Sequence, residues 1–564
     1  MKILFFSLNA AIWVHALPEN RLAVELSNAG HEITYVTCDR GLKGHCTSMS
    51  GCGYQPDLPD YRKEEVCRLC VSNAAVLATG NGGQHLTLAA HLAADDETVI
   101  DEFVAEVPRD GYLDARWKGI NVGRIAAYEV FLQFKKMSPI LSPDEWSYYE
   151  IYLRNTLRAG LAFERIFDFI KPDVVFFYSP QYATNGVCAE IAARRGATTY
   201  FVEGSSNNAE RYKALRVWDW SKNGLMNPAL LHWDKAKARV TSEDVKRVTK
   251  HFDELFAATS FAVYSSPRQS EFSARNYFKI PEGAKFLLAT LSSFDEAYAA
   301  VVIGKFPESK LKSAVFKDQF EWIERTFDYL DGRDDVRLVV RVHPRDYPNK
   351  RENVQSEQAM RWEILLAKRP SNVIVNTPQE QIALYNILEE IDVLLTGWSA
   401  TGVEALAYGV PVVTYDEGLP SYPGEIHLTG RYVQEYFANI DRALSLGRDV
   451  TRSVGAFKWL AASFSLGTIR IEEETLLERL LGRLKAHPRL PPGLRQTTEG
   501  VLMRFQARRA MPHRGDAARF RALVETRAPD LIEVAVQQRM ALDPARQARD
   551  IVQQLNRWKF DSGR

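Results

Sequence analysis

The chain lacks a net charge: over 564 residues, 71 Lys and Arg balance 71 Asp and Glu. A balanced surface argues against a phosphodiester partner, so no nucleic acid is expected. No apolar run is long and uniform enough to cross a bilayer. No repeat of fixed short period occurs, which excludes a solenoid. A clean leader is missing too. Lys2 opens the apolar run ILFFSLNAAIWVHAL, but Asn9 and His15 interrupt it and the chain continues to GHEITYVT. A first strand, loop and helix explain this segment, so the expected location is cytoplasmic. Cysteine is scarce, with six residues, five of them between Cys38 and Cys70. Disulfides are not expected in that compartment.

What is present is length, apolar content and a strand–helix rhythm. At 46% hydrophobic, the chain can bury more than one core. Strand Lys2–Ser7, a helix from about Pro18 to Ala29, and strand Glu32–Thr37 alternate at the start. The rhythm returns at Asp173–Ser179, Gly186–Arg195 and Thr198–Val202. A second unit carries strands Lys285–Thr290, Val336–Val342, Val373–Val375, Ile391–Leu395 and Val410–Tyr415, after a helical connector capped at Thr241 or Ser242. The expected fold is α/β: two Rossmann-like doubly wound domains facing a cleft, plus a helical C-terminal extension. The boundaries are 1–225 with a Cys-rich insertion at 38–70, 226–450, and 451–564, the last broken near Pro488. Aromatic-rich helices over 112–169 suit an acceptor cleft. From Arg483 onward 17 Lys/Arg face 8 Asp/Glu, a net +9. Such a tail fits either an anionic membrane surface or docking on an acidic body.

Several segments carry chemistry. TGWSATGVEALAYGVPVVTY, Thr396–Tyr415, reads as strand, polar loop, helix from about Ala400 to Tyr408, and strand. Ser399, Ala400 and Thr401 stand at the helix start, where backbone N–H groups and the dipole suit a phosphate. Glu404, one turn on, is placed to hold a ribose hydroxyl. RVHPRD puts His343 at a strand's carboxyl end, with Arg341 and Arg345 adding phosphate-complementary charge. At strand ends of the first domain, His15 after the first strand and Glu203, with Glu19 and Asn207, are candidates for a general base. Cys38, Cys46, Cys67 and Cys70 could form a structural tetrahedral zinc site; unligated thiols or, less expected, an iron–sulfur cluster are the alternatives.

Two Rossmann-like halves with a C-terminal donor motif resemble the GT-B glycosyltransferases. Glu404 and GVPVV match the second half of that motif, while Thr396 stands where the pattern usually has its first Glu, leaving the stereochemistry open. The resemblance implies that the Ser292–Ser293 loop faces donor phosphates. It also implies that the SYPGEIH segment, with Tyr422, Glu425 and His427, reaches the sugar. Asp295 and Glu296 are acid or base candidates, or simply solvated. The His-Pro segment resembles bacterial sialyltransferases, Kdo transferases and wall teichoic acid polymerases, all users of cytidine nucleotides. Together with the Cys pattern this implies a metal-independent transferase of bacterial capsular or surface polysaccharide assembly. The implied partners are a nucleotide-sugar donor, with CMP-sugar mildly favoured over UDP or GDP, and a glycan or lipid-linked acceptor. A UDP-N-acetylglucosamine 2-epimerase on the same scaffold and a non-catalytic scaffold protein are the alternatives.

Overall fold

The computed structural model describes residues 1–80, 82–349, 353–471, 473, 475–487 and 490–561, with residues 492 and 559–561 as backbone only. Pro488 lies outside the described residues. Thirteen strands follow in order: β1 (Lys2–Phe6), β2 (Glu32–Thr37), β3 (Gln84–Thr87), β4 (Val174–Tyr178), β5 (Thr198–Gly204), β6 (Ala214–Asp219), β7 (Lys285–Thr290), β8 (Val336–Arg341), β9 (Val373–Asn376), β10 (Val393–Thr396), β11 (Val412–Thr414), β12 (Leu428–Thr429) and β13 (Thr468–Arg470). They form two sheets, ordered β13-β6-β5-β4-β1-β2-β3 and β12-β11-β10-β7-β8-β9. The second sheet is parallel throughout and has the doubly wound order of a dinucleotide-binding fold. The first is parallel from β3 to β5, with β6 and β13 added antiparallel at one edge.

Both sheets are buried on two faces, which is why their strands read as unbroken apolar runs. Alternate residues supply separate cores. Leu4, Phe6, Val175 and Phe177 face one side of the first sheet, while Ile3, Phe5, Val174 and Phe176 face the other. In the second sheet Phe286 and Leu288 turn one way, Leu287 and Ala289 the other. The two domains are joined by side chains as well as by the linker. Helix Val122–Gln133 packs on helix Asp295–Val302. Lys136 pairs with Glu357 at 2.6 Å, and Lys305 with Glu190 at 2.9 Å.

The connector helix Ser242–Ala257 starts at a capping box, Thr241 with Asp244. The first helix begins at Trp13, five residues before Pro18. The segment from 451 is helical except for β13, which extends the first sheet. Its helices cover both domains: Phe520, Leu523 and Leu531 enter a core of the first sheet, and Phe457, Ile551 and Leu555 a core of the second. Tyr200 donates its hydroxyl to the carbonyls of Leu523 and Ala528 at 3.0 and 2.9 Å. Part of the tail's positive charge serves this docking. Arg539 pairs with Asp244 at 2.7 Å, Arg527 with Asp173 at 3.3 Å, and Arg521 with Glu25.

Candidate functional site

A cleft of about 450 Å³ opens at the carboxyl ends of β7 and β10, where the strand order of the second sheet reverses. This is where open parallel sheets place their ligands. Its floor comes from Thr290–Ser293 after β7, Arg341–Pro344 after β8, Ser399–Thr401 after β10, and Tyr385 with Glu404. Ser206, Asn208 and Arg211 of the first domain close the opposite wall. Seven of the expected donor residues therefore share one cavity with an eighth, Ser293, at its edge of the floor.

The electrostatics of this cavity favour an anion. Arg341, the last residue of β8, is held by Asn376 Oδ1 and by the Ile382 carbonyl at 3.0 Å. Among the described residues no carboxylate pairs with it, and burial brings its guanidinium down to about 10, still charged at neutral pH. Arg211 faces the same space, likewise without a carboxylate pair among the described residues. Glu404 offers its carboxyl from the helix Thr401–Ala407 and accepts from the Tyr385 hydroxyl at 3.4 Å. Burial raises it to about 7, so it is substantially uncharged near neutrality. Ser292 adds a buried hydroxyl with no hydrogen-bond partner. His343 Nδ1 accepts the Arg345 N–H at 3.2 Å, which leaves Nε2 as the protonated atom of the neutral ring.

The helix start differs from the expectation. Its leading N–H groups are already engaged: Thr401 N donates to Ser399 Oγ at 3.2 Å, and Gly402 N to the Ser399 carbonyl at 3.1 Å. A serine turn has closed the site that the spacing presents as open. The two arginines, rather than this short helix, are the fixed positive charges that line the cleft.

Four other expected site residues take different roles. Ser293 donates to Asp295 at 2.6 Å, so its hydroxyl is committed. Arg345 turns away from the cleft: it pairs with the fully buried Asp295 at 2.7 Å and donates to the Leu132 carbonyl of the first domain at 3.2 Å. It is an interdomain tie. Asp295, buried beneath it, is neither solvated nor free to act as acid or base, whereas Glu296 lines the cleft. Glu425 lies in another crevice, accepting from Trp233 Nε1 at 2.7 Å and pairing with Lys237 at 3.0 Å.

Neither base candidate lines the cleft. His15 stacks on Tyr178 with ring centroids 4.6 Å apart, and burial, then the Arg211 charge, lowers it to about 4. Glu19, one turn along the same helix, accepts from Ser7 at 2.6 Å and is raised by burial to about 8. Glu203 is paired across the strands with Arg216. Arg211 and Tyr385 are the functional candidates that sequence reasoning missed. Both stand in irregular or short elements without a motif.

The four thiols expected to bind zinc lie near one another, but among the described residues no three of their sulfurs come within 4.8 Å of each other. Cys67 and Cys70 sit on the regular helix Asp60–Ala78, and Cys70 donates to the Leu8 carbonyl at 3.7 Å. Cys46, Cys67 and Cys70 pack against Ala11, Met49 and Val66, and Cys38 packs on a core of the first sheet. Among the described residues, the one group of three donor atoms within 4.8 Å of one another is His232, Asp530 and Glu533. There His232 Nε2 and Asp530 already pair at 2.9 Å.

No family model and no curated protein matches this chain. Solved structures that match this chain include a putative UDP-N-acetylglucosamine 2-epimerase from Listeria monocytogenes, 11% identical over 83% of this chain and 93% of that one, with a TM-score of 0.27. A Thermosulfurimonas dismutans KpsC, beta Kdo 2,4 transferase, is 15% identical over 53% of this chain and 82% of that one, at 0.32. The calicheamicin glycosyltransferase CalG4 is 15% identical over 82% and 94%, at 0.25. These likenesses are too distant to assign a substrate; the sheet topology itself makes this chain a pair of doubly wound α/β domains of GT-B architecture, closed by a C-terminal extension that is almost wholly helical.

Proposed function

We propose that the chain is a glycosyltransferase that binds a nucleotide sugar in this interdomain cleft and passes the sugar to a glycan or lipid-linked acceptor. One observation carries the reading: Arg341 and Arg211, from opposite domains, line one cavity without carboxylate partners. Leaving a buried guanidinium uncompensated is costly unless an anion completes it. A nucleotide phosphate suits the position, since both arginines can offer paired N–H donors. Ser292 would add a hydroxyl donor. Glu404, about half protonated near neutrality and with Tyr385 behind it, suits a sugar hydroxyl better than a second phosphate.

Transfer requires stabilisation of the departing phosphate and removal of the acceptor proton. The arginines would supply the first. For the second, Glu203 is engaged with Arg216, which leaves His15. Its buried ring is neutral and stands near Arg211, and it would have to reach the acceptor as the domains close, with its basicity restored by the change of surroundings. A cytidine nucleotide is the first donor to try, on the likeness of the RVHPRD segment, and surface-polysaccharide assembly is the corresponding role.

The test is a thermal-shift panel of CMP, UDP, GDP and their sugars. One nucleotide should raise the melting temperature in a concentration-dependent way. Incubation of the stabilising nucleotide sugar without acceptor should give at most slow hydrolysis. Rapid conversion of the sugar would replace transfer with epimerisation, and silence across the panel would sink the donor-site reading.

A further inference from the structure

Beyond the cleft, one part of the C-terminal segment docks on the body only in part. Helices Leu476–Ala486 and Pro492–Ala507 pack against each other as a hairpin. The hairpin is rooted at one end only. Ala507 is buried and its carbonyl accepts from Asn20 at 2.7 Å, while Arg509 pairs with Glu478 at 2.6 Å. Along the outer side of the hairpin the leucines stay in solvent: Leu476 is 67% exposed, Leu480 54%, Leu484 47% and Leu494 57%. Leu476, Leu480 and Leu484 recur every fourth residue, so they form one stripe along the first helix. Exposed large apolar residues occur elsewhere on the chain, but here several leucines gather on one short hairpin, and such a cluster marks an interaction surface.

Charge decides what it meets. From residue 476 to 509 the sequence holds eight Lys/Arg and two Asp/Glu, a net +6. Both acids are engaged, Glu478 by Arg509 and Arg21, and Glu499 by Lys485. Arg479 and Arg483 are exposed beside the leucine stripe, and Arg495, Arg504 and Arg508 are exposed on the second helix. Long basic side chains beside an apolar stripe can keep their charged ends at a headgroup layer while the stripe enters it. Two copies of this hairpin placed face to face would bring like charges together, whereas anionic lipid neutralises the arginines and covers the leucines.

We propose that this hairpin is a membrane-surface anchor that inserts its leucine stripe into an anionic bilayer. No described helix is long and apolar enough to cross a membrane, so the hairpin lies in the interface rather than spanning it. Its second helix also packs on helices Trp13–Asn28 and Asp60–Ala78 of the first domain. The inference stands on the hairpin alone and holds whether or not the cleft transfers sugars.

The test is flotation of the full chain with vesicles of phosphatidylcholine alone and of phosphatidylcholine with phosphatidylglycerol. Wild-type protein should float with the anionic vesicles and not with the neutral ones. The exposed-site variants Leu480→Glu/Leu484→Glu and Arg479→Glu/Arg483→Glu should each bind roughly tenfold more weakly or worse, with unchanged melting temperature and nucleotide response. No flotation of the wild type, equal flotation with neutral vesicles, or undiminished binding by well-folded variants would overturn it. So would a dimer in solution that Leu480→Glu/Leu484→Glu breaks, without vesicle binding, since that would make a second copy the occupant.

Discussion

Thr290 donates its hydroxyl to Thr396 Oγ1 at 3.0 Å, joining the carboxyl ends of β7 and β10 at the point where the strand order reverses. Both residues are buried, and Thr396 donates in turn to the Thr290 carbonyl at 3.4 Å. The pair forms the underside of the cleft. Thr396 is the position where the GT-B donor pattern usually carries Glu, and here it is a packing residue beneath the site. Thr396→Val should cost about 1–2 kcal/mol, because it leaves the Thr290 hydroxyl without its acceptor. Thr396→Glu should cost several times more by burying an unpaired carboxylate. Urea unfolding midpoints measure both, and a well-folded, more active Thr396→Glu protein would contradict this placement.

The two arginines of RVHPR should respond oppositely. Arg345→Ala strands the buried Asp295 and should destabilise the chain by about 3–5 kcal/mol. Arg341→Ala removes a cation that lacks a carboxylate partner, so stability should change by less than about 2 kcal/mol while nucleotide affinity falls. Unfolding and calorimetric titration on the two variants separate the roles. Equal loss of stability in both would show that Arg341 is structural as well.

Gly402 is fixed by a close approach. A Cβ added there would stand 2.0 Å from the Tyr422 hydroxyl. Gly402→Ala should therefore push Tyr422 or the helix Thr401–Ala407 aside, at about 1–3 kcal/mol, and lower nucleotide affinity by moving Glu404. Gly402→Ala/Tyr422→Phe should recover part of both losses, read by melting temperature and titration.

Two buried carboxyls set a pH dependence. Burial raises Glu19 and Glu129 to about 8, from 4.5 in the unfolded chain. Between these values the native state holds protons on these two groups that the unfolded state has released, so their contribution to stability should fall as pH rises from 4.5 towards 8, against the opposite contribution of the buried His15. Below 4.5 their contribution is complete. Glu19→Gln/Glu129→Gln should flatten this slope and raise stability at the alkaline end, as urea midpoints across the range would show. An unchanged slope would mean that other groups carry it.

The sheets were legible because burial on both faces writes apolar runs such as KFLLAT and RLVVRV into the sequence. The donor helix was legible because Gly409 stops it just before an apolar strand. Four strands were not: β3 (QHLT), β12 and β13 are short, and β6 (ALRVWD) mixes charge into an edge position. Which arginine of RVHPR faces the cleft depends on the turn at Pro344–Asp346, which no periodicity reveals. Arg211 and Tyr385 reach the cavity through tertiary packing alone. The CxxC of Cys67 and Cys70 fits one face of a helix as well as a metal knuckle, and the helix-forming run DYRKEEVCRLC that contains it was the signal for the helix.

The most direct test of the cleft as a nucleotide site is calorimetric titration of CMP, UDP and GDP into the wild type, Arg341→Ala and Arg211→Ala. One nucleotide should bind the wild type at one site per chain. Each arginine variant should weaken that binding by about tenfold or more, the expected loss for a charged hydrogen-bonded contact of roughly 1.5–3 kcal/mol. A wild type that binds none of the three, or variants that bind as well as the wild type, would contradict it.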